Sequence, residues 1–432
     1  MSRTFRSLKV ESFRWYATAS LMTNTAMWMQ RITQDWLAIQ LTGDGAAVGF
    51  TTAMQFLPGL IIGPIAGNFA DRWPRRMMLV IDCIAMSLPA LMLGLIIMFG
   101  HPSIWHVYGF AAALGVASGV DSPVRQAYVR DLMDKDDLIN AMGLSGIIFH
   151  TSRIIGPAIA GFLIAAVGVA YSFMGVSAAY LVAAGVLFGI KVKPREPDDV
   201  MTPGEKPGLA GGFQLLRQNP GLIVVMALTA CVSSFAGNFQ VSITIMATKA
   251  FHLGAGEFGS LTSMMAIGSI FGAFQVARLY RPSFAIVLLA AGLLGFCYLI
   301  ASAAPSPIVF GIILLPIGML SNMYLSTANA VVQLRVPPRF QGRIAGIYMA
   351  CGYVFVPVSA IVIGVLADRF TPRTPLAVAG LICLITAGMA YAALHLLKVV
   401  AWRGKRLIEL DPAIDVPSKN PLSEGFADNP NC

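Results

Sequence analysis

Apolar runs longer than 18 residues recur from one end of this 432-residue chain to the other. Three of them are "MMLVIDCIAMSLPALMLGLIIMF" (77–99), "FAIVLLAAGLLGFCYLIASAA" (284–304) and "LAVAGLICLITAGMAYAALHLL" (376–397). Each is long enough to cross about 30 Å of hydrocarbon as a helix. Membrane-spanning strands would instead alternate in polarity over segments of about ten residues. Charged residues make up 12% of the chain, against about 25% in a soluble domain. The sequence therefore reads as an all-α membrane protein with many crossings.

The apolar pattern predicts twelve spans, near 13–41, 46–70, 77–99, 104–130, 137–168, 170–190, 220–248, 257–279, 283–304, 306–334, 341–367 and 375–397. Lys and Arg set their orientation, because they gather on the cytoplasmic side. With both termini in the cytoplasm, 24 of the 30 basic residues fall inside. Lys249, Arg369 and Arg373 fall outside, and the last two, in "ADRFTPR" (367–373), run against the bias. The net charge of +9 follows from this asymmetry, not from nucleic-acid binding. The first apolar segment lacks a small-residue cleavage site and reads as a retained helix.

Pro, Gly and charge concentrate in "KVKPREPDDVMTPGEKPGLAGG" (191–212), the composition of a flexible linker. The predicted organisation is a six-helix half (1–190), a cytoplasmic linker (191–219), a second six-helix half (220–398) and a disordered tail (399–432). "LMDKDDLINAMGLSGIIF" (132–149) and "VPPRFQGRIAGIYMACGY" (336–353) form a weak repeat, each opening a helix after a charged turn. Paired, pseudo-symmetric halves with a site between them are a transporter architecture.

"MWMQRITQDWLAIQLTG" (27–43) carries Arg31 and Asp35 inside an apolar segment. One such charge at mid-membrane costs about 2.5–3.5 kcal/mol on insertion scales. An i,i+4 ion pair returns only about 0.3–0.5 kcal/mol, so pairing alone does not offset it. Helical spacing puts Asn24, Trp28, Arg31 and Asp35 on one face of span 1. Span 4 has a stripe of Gly115, Ser118, Asp121, Ser122 and Arg125, and span 5 one of Gly146, His150, Arg153 and Pro157. Such stripes must face a watery cavity or one another. Depth along the spans predicts Asp35 between Arg31 and Arg153, with Asp121 and Arg125 as a separate inner pair. These five residues are the candidates for proton coupling and the substrate pathway; the plainer alternative is ion pairs that fix helix packing. Asp82 reads as a residue that snorkels or binds the arginines between spans 2 and 3, and His150 as a polar cavity residue.

The second half offers neutral groups instead: Ser234, Asn238, Asn322, Ser326 and Asn329, with Tyr324 and Tyr348. The sequence thus assigns coupling to charges in the first half and binding to neutral and aromatic groups in the second. Trp28, Asn238, Asn322, Tyr324, Ser326 and Asn329 are the candidate substrate-binding residues. Three intramembrane arginines against Asp35 and Asp121 favour an anionic or polyhydroxylated substrate. The six cysteines show neither disulfide nor CxxC metal spacing. No Walker-type GxxxxGK[ST] occurs, so no cofactor, metal or catalytic residue and no direct ATP drive are expected.

"GNFADRWPRR" (67–76) lies between spans 2 and 3. It resembles the G-x-x-x-D-R-x-G-R-R signature of the major facilitator superfamily, with Pro74 where the family usually has Gly. The resemblance implies that Gly67, Asp71, Arg72, Arg75 and Arg76 gate the cytoplasmic side. "WMQRITQDWLAIQLTG", "QFLPGLIIGPIAGNFADR", "DSPVRQAYVRDL" and "RIIGPAIAG" look like the branch that includes the enterobactin exporter and other secretion effectors. "GPAIAG" (156–161) partly matches the Gly-Pro motif of drug/proton antiporters, which makes Gly156 and Pro157 a candidate helix pivot. The resemblance implies a monomeric, multi-pass protein of the bacterial inner membrane. It would export a small molecule, such as a drug or siderophore, by proton antiport, with the lipid bilayer as its other partner. An importer of a small metabolite, or a transport-inactive receptor or scaffold, are the rival readings.

Overall fold

The computed structural model describes residues 3–70, 73–190, 215–217, 219–278, 282–336, 338–397, 399–403 and 406–409. A 3-10 turn, Arg3–Lys9, leads into α1 (Glu11–Thr42), α2 (Gly45–Ala70), α3 (Arg75–Phe99), α4 (Ile104–Leu132), α5 (Lys135–Val167) and α6 (Val169–Gly189). After the central segment come α7 (Pro220–Phe235), α8 (Phe239–Ile245), α9 (Ala255–Arg278), α10 (Phe284–Ser302) and α11 (Pro307–Leu334). The helices close with α12 (Pro338–Tyr353), α13 (Val356–Arg369) and α14 (Thr374–Leu396).

Local chemistry sets the ends. Gly43, at φ 71°, terminates α1 and gives its N–H to Ile39 O at 2.8 Å, a left-handed cap that suits glycine. Ser103 and His106 form a reciprocal capping box at the start of α4. Two predicted spans are broken where single helices were expected. In 220–248, α7 stops at Ala236 and α8 starts at Phe239, running on into a π turn, Met246–Ala250. The Asn238 side-chain nitrogen replaces a lost backbone partner by donating to Ser234 O at 2.7 Å. In 341–367 the break falls at Val354 and Phe355, just before Pro357, which has no N–H to continue the ladder.

Ten helical stretches among the described residues are long and apolar enough to cross a membrane. α1 and α4 fall outside that group because they carry the polar stripes. Within the first six helices α2 packs on α4, α3 on α6, and α1 on both α5 and α6. Among the later ones α9 packs on α11, and α10 on α14 and α11, while α7 meets α12 and α14. The two sets join mainly through α2 with α13 and α5 with α9. The near end of the molecule is the one that carries the start of α1; the far end carries the turn at Gly43.

The far end is closed by backbone contact. A Cβ on Gly49 of α2 would lie 2.2 Å from Ala360 O of α13, and one on Gly161 of α5 would lie 2.4 Å from Gly259 Cα of α9. Small residues permit such approach between membrane helices. Beyond α14, Val400–Arg403 pairs antiparallel with Arg406–Glu409. This short ribbon stands where the sequence predicts only a disordered tail. The rest of that tail, 410–432, and most of the linker, 191–214, lie outside the described residues.

Gly49→Ala should push α2 off α13, an overpacking cost of about 1–3 kcal/mol, and lower the thermal unfolding midpoint in detergent micelles. Gly175→Ala, where a Cβ meets nothing within 4 Å, is the control and should leave the midpoint unchanged.

Candidate functional site

α1 presents its polar face to α2, α4 and α5, not to lipid, and Arg31 and Asp35 are both buried. Asp35 Oδ1 accepts from Gln55 Nε2 at 3.2 Å and from Thr52 Oγ1 at 3.4 Å, both on α2. Gln55 Nε2 also lies 3.1 Å from Gln34 Oε1 and 3.2 Å from Arg31 O. Asp35 is therefore held by neutral donors, and the expected seat between Arg31 and Arg153 is not what forms. The arginines meet aromatic rings instead. The Arg31 guanidinium lies 4.0 Å from the Phe56 ring centroid and 5.3 Å from that of Trp28. Arg153 lies 5.4 Å from the same Trp28 ring and 5.5 Å from that of Phe239. Cations over aromatic faces keep part of the stabilisation that water would supply.

The inner pair forms as the helical spacing predicts. Arg125 Nε donates to Asp121 Oδ2 at 2.9 Å and to Oδ1 at 3.1 Å, and Nη1 donates to Ser20 Oγ of α1 at 2.8 Å. This fork geometry gives the stronger kind of ion pair. Asp82 joins it: its buried carboxyl faces Asp121 and Arg125 across the contact of α3 with α4. Among the described residues it bonds to neither Arg75 nor Arg76. Arg75 pairs with Asp131, and Arg76 donates to Ile190 O at 2.7 Å, so these bonds anchor α3 within the first six helices. Asp71 and Arg72 lie outside the described residues, as do the side chains of Gly67 and His150.

The second half divides its candidates. A cavity between α5, α9 and α11 is lined by Arg153, Pro157 and Phe239 with Thr262, Ser269, Ser321, Asn322 and Ser326. Asn322 and Ser326 thus reach the space that the sequence reading assigned them to. Asn238 does not: its amide is committed to Ser234 O, Ser359 Oγ at 2.9 Å and Val356 O at 3.3 Å. Tyr324 is buried toward α7, with its hydroxyl 3.1 Å from Thr229 Oγ1, and Asn329 accepts from Gln333 at 2.8 Å. Gly156 lets α5 close on α1, since a Cβ there would lie 2.7 Å from Trp28 Cβ. α5 runs unbroken through Pro157.

Sequence reasoning missed a connection at the far end. Asp368 of α13 accepts the first backbone N–H groups of α2, from Gly45 at 2.8 Å and Ala46 at 2.7 Å, and pairs with Lys249 at 2.6 Å. A carboxylate at a helix N-terminus satisfies orphan donors and the helix dipole together. The signal was in the chain: "GVLADRFTPR" (364–373) repeats the pattern of "GNFADRWPRR" (67–76). Thr52, Gln55 and Gln34 were also missed; a glutamine in the otherwise apolar 53–66 run was the available clue.

Broken helices, a partly polar cavity between two helix sets and charges shielded from lipid suit a membrane transporter, and the family match makes it one of the major facilitator superfamily. Residues 2–417 match the transmembrane secretion effector family, and the chain belongs to it. The chain is 22% identical over 374 residues to the staphyloferrin A transporter of Staphylococcus aureus, covering 83% of this chain and 90% of that one. It is 25% identical over 338 residues to an enterobactin exporter of Shigella boydii, covering 76% and 77%. Its fold matches a bacterial homolog of the human lysosomal transporter Spinster, solved inward-facing and unoccupied. The TM-score is 0.70 at 15% identity, over 89% of this chain and 97% of that one.

Opening the far end must break the Asp368 bonds. Asp368→Asn should therefore broaden the distance distribution between spin labels at Leu41 and Phe370 toward longer values; an unchanged distribution would show that the glycine contacts alone hold this end. For the inner pair, Asp121→Asn removes the carboxylate onto which Arg125 forks and leaves it Asp82 alone, and should lower membrane yield. Asp121→Asn with Arg125→Gln removes both charges and should restore yield, read by fluorescence-detected gel filtration.

Proposed function

We propose that the chain is a proton-coupled exporter of siderophore-type small molecules that works by alternating access. The observation that carries this reading is the polar cavity shared by α5, α9 and α11, under a far end closed by glycine contacts and by Asp368. α1 and α4 are read as two further spans beside the ten apolar stretches. That gives twelve helices in two six-helix bundles, a reading supported by matched packing: α2 on α4 is repeated by α9 on α11, and α3 on α6 by α10 on α14. Both termini then lie in the cytoplasm and the far end faces outside, across the bacterial inner membrane. The names of the staphyloferrin A and enterobactin relatives support a siderophore-type substrate.

The proposed cycle couples Asp35 and the Asp121/Arg125 pair to protons. A carboxylate whose surroundings differ between two conformations lets a gradient bias one of them. Asp35 suits this role because neutral Thr52 and Gln55 hold it, so gaining a proton breaks no ion pair. Gly67, Asp71, Arg72, Arg75 and Arg76 are proposed to gate the near end, and Gly156 with Pro157 to pivot α5. The protein works as a monomer with no bound cofactor.

Everted membrane vesicles test the reading. Energised vesicles carrying the protein should accumulate an iron-free siderophore, and a protonophore should abolish that uptake. Asp35→Asn should lower uphill accumulation at least tenfold while equilibrium binding persists. Accumulation at the unsubstituted rate would reduce Asp35 to a packing residue; no gradient-driven uptake of any siderophore or drug by the unsubstituted protein would sink the exporter reading itself.

A further inference from the structure

Among the described residues, Arg153 is the cation on the wall of the cavity between α5, α9 and α11, and no carboxylate lines that space. Among the described residues its guanidinium makes no ion pair and no hydrogen bond; its neighbours are the faces of Trp28 and Phe239. The cavity therefore carries the positive charge of Arg153, and no acidic side chain among the described residues pairs with it. The surroundings sharpen this imbalance. Arg31 lies against the same Trp28 ring, and its Nε and Nη1 are buried without an acceptor. Asp35, one turn along α1, lies within electrostatic reach of Arg31 but hydrogen-bonds to Thr52 and Gln55. The remaining polar lining, including Ser321, Asn322 and Ser326, is neutral.

We infer that this cavity is an anion subsite in which Arg153 takes a carboxylate of the transported molecule; the inference rests on the exporter reading for the word transported, not for the binding. The planar fork of a guanidinium matches the two oxygens of a carboxylate. The flanking rings hold that fork from its sides and leave its N–H edge for the ligand. Ser321, whose hydroxyl has no partner among the described residues, and the Asn322 amide nitrogen offer donors to hydroxyl or carbonyl groups beside the carboxylate. Leaving a partly buried charge without a counter-ion is destabilising, so a carboxylate ligand gains affinity by supplying it. A cationic solute would meet the Arg153 guanidinium and is disfavoured here.

The test uses the full-length protein in micelles with citrate as the probe, at constant ionic strength set with sodium chloride. Citrate should raise the thermal unfolding midpoint and quench the Trp28 contribution to fluorescence, read against a Trp28→Phe control; tetraphenylphosphonium should do neither. Arg153→Gln should weaken citrate binding at least tenfold, and Arg153→Lys should retain part of it. Asn322→Asp places an internal carboxylate in the cavity and should also weaken citrate at least tenfold, which keeps the test decisive if Arg153→Gln does not fold. Citrate binding that is the same in the unsubstituted protein and in folded Arg153→Gln or Asn322→Asp would overturn the assignment. So would binding of tetraphenylphosphonium in place of citrate. Failure of vesicle transport with Arg153-dependent citrate binding intact would count against the exporter reading and leave the subsite standing.

Discussion

The structure turns on where α1 puts its charges. Arg31 and Asp35 are affordable in a membrane helix only because α1 is wrapped by its neighbours, so that both are buried in protein. Each neighbour answers part of the cost. α2 supplies Thr52 and Gln55 to Asp35, its Phe56 stacks on Arg31, and α4 sends Arg125 to Ser20. Moving α1 to the lipid face would expose every one of these groups to hydrocarbon, and the other spans of the first half are arranged around that prohibition.

The junction between the two helix sets obeys a different rule. At the far end, contact is made by backbone on backbone, through Gly49 with Ala360 and Gly161 with Gly259. These contacts are close and short-ranged, and beside them Trp36 of α1 packs on Phe258 of α9, ring centroids 5.1 Å apart, with both side chains buried. Asp368 adds direction to them by capping α2 from the opposite half and holding Lys249. The joint thus combines short-range backbone packing with one directional polar link.

The polar inventory is also unequal in its commitments. Asp121 and Arg125 satisfy each other within one helix, and Asn238 is consumed in bridging the break before α8 to α13. Those groups hold the structure together in this conformation. Arg153, Ser321 and Asn322 instead face shared space between the halves. Unused hydrogen-bonding capacity is thus found at the cavity, where Ser321 Oγ has no partner among the described residues.

Much of this was legible in the residues. Span positions followed from apolar length alone, because a helix must cover a fixed hydrocarbon thickness; observed helix ends fall within a few residues of the predicted ones. The Asp121/Arg125 pair followed from helical spacing, which is a local property. The partners of Asp35 did not, since Thr52 and Gln55 come from another helix whose rotation no spacing rule fixes. The breaks at Ala236–Asn238 and Val354–Phe355 were hidden by apolar composition that continues straight through them. Asn238 and Asn322 are alike in sequence, and only the packing of α13 and α9 decided that one is a brace and the other lines the cavity. Asp368 shows both sides: its motif was written in the chain as a repeat, but its function as the cap of α2 exists only because tertiary packing brings residues more than 300 positions apart into hydrogen-bond range.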